Sequence, residues 1–179
     1  MPASGRSRRA WGWHRLADEW AARVVAAAGV RPGELVLDIG AGEGALTAHL
    51  ARARARVVAV ELNPRRAAVL RERFPGITVV HADATSVPLP GRPFRVVASP
   101  PYGISSGLLR TLLAPGSRLL AADLVLQRAV ARKYAPGPAE VQPDRQPRAA
   151  AARVPAAAAR GLCGPRHPPP EMSAAGKGR

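Results

Sequence analysis

Hydrophobic positions follow two rhythms along this chain. Leu16, Trp20, Val24 and Ala27 recur at helical spacing and Gly29 closes the run, which predicts a helix ending near Ala28. Val36, Leu37 and Ile39 then form a short apolar run between Gly33 and Gly40, the pattern of a strand covered on both faces. A helix is expected from Ala45 to Arg52, and a second strand from Arg56 to Leu62, where Val57, Val58 and Val60 are β-branched. Asn63 is suited to cap the next helix and Pro64 to its first position, so a helix should run from Pro64 to about Arg73. Further strands are predicted over Ile77–Val80, Arg95–Ala98 and Leu119–Leu126, with a helix over residues 127–134.

Strands alternating with helices imply right-handed βαβ units and a parallel sheet, with ligands bound outside the carboxyl ends of the strands. Asp38, Glu61, Asp83 and Ser99 all fall at those ends. The rhythm stops after Ala135. Of the 44 residues from Pro136 to Arg179, nine are proline, five glycine and eleven alanine, so little apolar surface offsets the entropy of ordering them. The expected layout is a basic disordered arm over residues 1–10, an α/β domain over 11–135 and a disordered tail over 136–179.

The stretch Leu35 to Gly44 is the first place where the pattern suggests chemistry. Gly40, Gly42 and Gly44 follow the buried strand and precede a helix, so the backbone can take positive φ, approach a ligand closely and aim amide N–H groups at it. A nucleoside-bearing cofactor fits such a loop. Gly40, Gly42 and Ala45 also satisfy the dinucleotide fingerprint, which leaves a nicotinamide dehydrogenase open on this motif alone. Glu61 stands 17 residues past Gly44 at the end of the second strand, near the offset at which an acidic side chain accepts from ribose hydroxyls.

Charge narrows the partner. The 179 residues carry 27 Lys and Arg against 12 Asp and Glu, a net +15, which favours a polyanion such as nucleic acid over an acidic small molecule. The same arginine excess also arises from GC-rich coding sequence. Cys163 is the only cysteine, which excludes an intrachain disulfide and a cysteine metal cluster and points to a reducing cytoplasm. No apolar run reaches the ~20 residues that span a bilayer, so neither secretion nor membrane insertion is expected.

Ser99-Pro100-Pro101-Tyr102 separates the cofactor classes. An exocyclic amine on a base is a poor nucleophile, and oxygen acceptors for its N–H bonds stabilise the charge that develops on attack. The two prolines fix φ and aim the Pro100 carbonyl, while Tyr102 offers a face for stacking a base taken out of its helix. A nicotinamide enzyme gives no reason for this turn.

Together with Leu37-Asp38-Ile39-Gly40-Ala41-Gly42-Glu43-Gly44, Val58-Ala59-Val60-Glu61, Ala82-Asp83-Ala84 and Leu126-Gln127-Arg128-Ala129-Val130-Ala131, the segment Pro100-Pro101-Tyr102-Gly103-Ile104-Ser105-Ser106 gives the chain a family likeness. It resembles the rRNA adenine N6-methyltransferases that confer macrolide, lincosamide and streptogramin B resistance, and their relatives that dimethylate small-subunit rRNA. The resemblance runs from about Trp11 to Ala135. It implies a Rossmann-like class I S-adenosylmethionine-dependent methyltransferase fold, an α/β parallel sheet with flanking helices, incomplete at the C-terminus. It further implies that Gly40 and Gly42 pass the methionine part of S-adenosylmethionine, with Asp38 and Ser99 also at the cofactor, that Glu61 holds its ribose, and that Asp83 with the Ala84 amide recognises its adenine. Ser99 and the Pro100 carbonyl would polarise the target amine and Tyr102 would stack the target adenine. His14 sits where the family has a cofactor-proximal motif, although Gly12-Trp13-His14 replaces the usual Gln-Asn pair and a buried structural histidine is an equal reading.

Two departures stand out. The family usually has Asn at the place of Ser99, and Ser-Pro-Pro-Tyr is reminiscent of cytosine-N4 DNA methyltransferases. The family also continues with two more strands and a helical RNA-binding domain, where this chain has its alanine-proline tail, as if read out of frame. The expected protein is therefore a cytoplasmic monomer that methylates adenine N6 of 23S rRNA with S-adenosylmethionine, without metal or membrane, its activity put in question by truncation. A remnant that binds cofactor or RNA without turnover is the rival.

Overall fold

In a computed structural model the structure describes residues 16–134, 140–141 and 149–155. The expected arm, and His14, lie outside them. The elements run α1 (Asp18–Ala28), β1 (Leu35–Ile39), α2 (Ala45–Arg52), β2 (Arg56–Glu61), α3 (Pro64–Arg73), β3 (Thr78–His81), β4 (Phe94–Ala98), a single 3-10 turn (Tyr102–Ile104), α4 (Ser105–Leu112), β5 (Leu119–Gln127), α5 (Arg128–Tyr134), β6 (Glu140–Val141) and β7 (Ala149–Pro155). No helix among the described residues is long and apolar enough to cross a membrane.

The strands form one sheet in the order β3-β2-β1-β4-β5-β7-β6. The first five are mutually parallel, and β7 pairs antiparallel with both β5 and β6. Order reverses beside β1, because β2 and β3 lie on one side and β4 and β5 on the other. In an open α/β sheet such a switch leaves a crevice at the carboxyl ends of the strands.

Apolar clusters cover both faces. Leu37, Ile39, Phe94, Val96, Leu124 and Leu126 pack with Leu108, Leu109 and Leu112 of α4 on one face, whereas Val36, Val57, Val97 and Val125 pack with Trp20, Val24 and Leu50 of α1 and α2 on the other. The alternation along β1 and β4 is the two-residue period of a strand buried on both sides. The α3 cap is as expected, since Asn63 Oδ1 accepts from Arg65 N at 3.0 Å and Arg66 N at 3.2 Å.

The tail requires a correction. Disorder was expected across residues 136–179, and a sheet lacking its last strands, yet residues 140–141 and 149–155 are strands and β7 pairs with β5 over seven residues. Alanine-rich sequence contributes little hydrophobic signal, but here the β5 edge supplies the ladder and the neighbouring elements bury Ala152 and Val154. Polar contacts reinforce the strand. Arg153 Nε lies 3.0 Å from Asp123 Oδ1 on β5, and Arg153 Nη2 donates to Ala28 O at 2.7 Å. The rest of the tail lies outside the described residues.

Candidate active site

Four strand ends and the loops after them make the site. β1 delivers Asp38 and then Gly40, Gly42 and Gly44, with φ of 75°, 61° and 87°. These backbone angles are in the region that side chains with a Cβ rarely adopt, which is why glycine recurs. The turn is tied to β2, because Gly40 N and Ala41 N both donate to Val60 O, at 2.8 and 3.1 Å.

Asp38 is buried, at 1% exposure. Oδ2 accepts from Thr47 Oγ1 at 2.6 Å, while Oδ1 has no hydrogen-bond partner among the described residues. Burial pushes the carboxyl up to about 7 from an ordinary 3.8; hydrogen bonds from Thr47 oppose the shift and the charge of Glu61 adds to it.

Glu61 is also buried, at 5% exposure, and is held from two sides. Oε2 accepts from Gly42 N and Oε1 from Asn63 N, each at 2.8 Å, so the carboxylate locks the glycine turn against the start of α3. A carboxylate has about four lone-pair sites, so each oxygen retains capacity to accept from a ligand hydroxyl. Leu62, the next residue, is 43% exposed.

Register places Glu61 opposite His81, and Ala82 N donates to Glu61 O at 3.2 Å, which brings the β3 loop alongside. There Asp83 Oδ1 accepts from Thr85 N at 2.8 Å and Thr85 Oγ1 at 2.7 Å. These bonds hold the Asp83 carboxyl below its usual range and fix its direction, leaving Oδ2 for another donor. Ala84, half-buried, follows it.

The turn after β4 closes the other wall. Ser99 is half-buried and Pro100 buried. A Cβ on Gly40 would stand 3.0 Å from Pro101 Cδ and 3.7 Å from Ser99 O, so the glycine turn and the proline turn are packed backbone to backbone. Pro101 O accepts from Ile104 N at 3.1 Å and from Ser105 Oγ at 3.2 Å, which pins the proline turn to the start of α4. Ser99 makes no side-chain hydrogen bond among the described residues. The Tyr102 backbone starts the 3-10 turn, and the stacking expected of its ring lies outside the described side chains.

Asp38, Gly40, Gly42, Glu61, Ser99 and Pro100 thus fall at the carboxyl ends of β1, β2 and β4, with Gly42 bonded to Glu61, Gly40 packed on the proline turn, and the loop of Asp83 and Ala84 tied to Glu61 through Ala82. Sequence reading missed Thr47, Leu62, Thr85 and Ser105. Thr85 was findable as a hydroxyl two residues beyond an acidic strand end, and Ser105 as a helix-opening serine; nothing in the sequence ties Thr47 to Asp38, nine residues away, or marks Leu62 as exposed.

A family model of ribosomal RNA adenine dimethylases matches residues 6–143. The chain belongs to that family. Among curated relatives, the ribosomal RNA small subunit methyltransferase A of Leifsonia xyli is 41% identical over 129 residues, covering 65% of this chain and 45% of the relative. The rRNA adenine N-6-methyltransferase of Aeromicrobium erythreum is 41% identical over 141 residues, covering 74% of this chain and 41% of the relative. The chain therefore spans about half the length, or less, of these two relatives. Among solved structures, the 23S rRNA methyltransferase ErmE superposes with a TM-score of 0.68 at 31% identity, over 78% of this chain and 68% of that one. The fold is also similar to that of a TehB-like S-adenosylmethionine-dependent methyltransferase from Corynebacterium glutamicum, which superposes with a TM-score of 0.54 at 18% identity, over 82% of this chain and 91% of that one.

Proposed function

We propose that this chain binds S-adenosylmethionine across the glycine turn and methylates adenine N6 in large-subunit rRNA, with macrolide, lincosamide and streptogramin B resistance as the consequence. The residues present suit the cofactor. Asp38 Oδ1 is a buried acceptor without a donor among the described residues, and a cationic amine is the group that would satisfy it. Glu61 has acceptor capacity for ribose hydroxyls, Asp83 Oδ2 and the Ala84 amide suit an adenine edge, and Leu62 offers apolar surface to its ring. When bound, S-adenosylmethionine supplies a methyl group activated by a positively charged sulfur.

The chain's own contribution is placement and polarisation. Ser99 Oγ and the Pro100 carbonyl accept from the adenine amine, which favours a tetrahedral nitrogen and stabilises the charge arising on it, while Tyr102 stacks the extruded base. The observation that supports this reading is the packing of the proline turn on Gly40, because with S-adenosylmethionine on the glycine turn Ser99 and Pro100 would stand beside it.

The choice of large-subunit rRNA leans on the likeness to ErmE. The Leifsonia xyli relative, equally identical in sequence to the Aeromicrobium erythreum one, favours small-subunit rRNA as the second reading. Mapping N6-methylated adenines by nuclease digestion and mass spectrometry in both rRNAs from cells expressing this chain tests the two together. New methylated adenine in 23S rRNA is expected; methylation confined to 16S rRNA would transfer the assignment, and none in either would refute the activity.

A further inference from the structure

The amino ends of the parallel strands, at the sheet edge away from the glycine turn, carry a belt of arginines. Backbone bonds bring the belt to one edge: Gly33 N donates to Arg54 O at 2.9 Å, Arg56 N to Glu34 O at 2.8 Å and Phe94 N to Arg118 O at 3.2 Å. Arg31, Arg54, Arg56, Arg92 and Arg118 are all exposed. Among them opens a cavity of about 250 Å3 lined by Glu34, Arg56, Arg92, Pro93, Arg95 and Leu120 in particular.

The positive charge there is not cancelled locally. Glu34, the one carboxylate lining the cavity, is already engaged, accepting from Arg31 N at 2.9 Å and Arg95 Nη1 at 3.4 Å. Arg95 is engaged too, with Ala28 O and Asp123. Arg56 and Arg92, by contrast, make no side-chain hydrogen bond or ion pair among the described residues. Strand order puts Arg56, Glu34, Arg92 and Arg118 at the starts of β2, β1, β4 and β5, four neighbours spread over about 14 Å at the usual strand spacing. That is wider than one phosphate group and suits a run of them.

We propose that this edge is a second, sequence-independent RNA-binding surface that holds phosphates of the rRNA substrate at a distance from the target adenine. It deepens the rRNA reading above and rests on it. Guanidinium forks recognise phosphate oxygens without reading bases, so the edge adds affinity and orientation rather than sequence choice. A five-residue strand is about 17 Å long, so the RNA held here is a different part of the folded molecule from the base presented at the carboxyl ends.

Filter binding of the full chain to protein-free 23S rRNA across a salt series tests this, with the double variant Arg56→Ala/Arg92→Ala beside a control double variant, Arg110→Ala/Arg132→Ala, on α4 and α5. The edge variant should bind about tenfold more weakly, and its slope of log affinity against log salt should shrink by about 2, one for each phosphate that an arginine no longer neutralises. S-adenosylmethionine affinity should not move. Unchanged affinity and slope in the edge variant would overturn the proposal, as would an equal loss in the control. Phenylglyoxal modification of the unaltered chain is the independent measure: rRNA should protect Arg56 and Arg92, and modification of both at the free rate in the complex would overturn it. Methyl transfer is scored separately. A reduced slope in the edge variant supports the surface even where that RNA is not methylated, an outcome that counts against the activity alone.

Discussion

Gly40 packs against Pro101 with no room to spare for a side chain: a Cβ on Gly40 would lie 3.0 Å from Pro101 Cδ, tighter than nine in ten real contacts of that kind. Gly40 also has φ of 75°, so two independent constraints disfavour a side chain at this point. The packing sets the distance between the glycine loop and the turn after β4 that carries Ser99 and Pro100, the amine acceptors proposed above. Gly40→Ala should therefore destabilise the fold by about 1–3 kcal/mol and slow methyl transfer beyond what weaker cofactor binding explains. Thermal melts with calorimetry and single-turnover rates would check it; a fully active, equally stable variant would show the contact to be unimportant.

Asp38 makes the fold sensitive to pH. Its carboxyl, ordinarily near 3.8, is pushed up to about 7 by burial, so between those values the folded chain keeps a proton that the unfolded chain has released. The contribution to stability accordingly falls as pH rises through that window and is flat above it. Asp38→Asn removes the titration, and at pH 8 it should be more stable than the parent by on the order of 1–3 kcal/mol while binding S-adenosylmethionine more weakly. Urea unfolding at pH 5 and pH 8 separates the cases, because a parent with no decline between them would contradict the shift.

Local rules account for what could be read from the chain. The bounds of α2 and α3 were readable because Gly44 and the Asn63-Pro64 pair mark helix starts by their own backbone preferences. Asp38, Glu61 and Ser99 were readable as strand ends for a similar reason. By contrast, α4 was missed: Gly107 and two serines weaken an eight-residue helix whose apolar face, Leu108, Leu109 and Leu112, acquires meaning only against β4 and β5. The bond from Thr47 to Asp38 and that from Gly42 to Glu61 join residues 9 and 19 apart, and no local preference specifies either. β7 was hidden most deeply, because its alanines need a waiting strand edge before they count as a strand.

That dependence gives β7 a measurable weight. Val154 is fully buried among residues of β5 and the helices on its face, so Val154→Ala should cost about 1–3 kcal/mol through the packing it removes and the small cavity it leaves. Deleting residues 136–179 should lower the melting temperature further, since it also removes the bonds from Arg153 to Asp123 and Ala28. Calorimetric scans of both variants decide the matter, and melting temperatures equal to the parent's would mean that β7 does not pack in solution.

In the proposed reaction Ser99 is the residue that bears most directly on turnover. It is half-buried beside the glycine turn, its hydroxyl is uncommitted among the described residues, and it occupies the place where the resembled family has an asparagine. An amide oxygen reaches further than a hydroxyl, so Ser99→Asn should bring an acceptor closer to the adenine amine. The gain would appear as charge develops on nitrogen, which raises the rate of transfer and leaves S-adenosylmethionine affinity nearly unchanged. One recovered preorganised hydrogen bond of this kind is worth about 2–4 kcal/mol of barrier, or on the order of 10²-fold in rate. Steady-state and single-turnover rates on protein-free rRNA, with cofactor affinity measured in parallel, check the expectation. A variant that binds cofactor normally but transfers no faster to adenine, while the parent methylates cytosine readily, would make Ser99 the adapted residue and cytosine the base this site is built for.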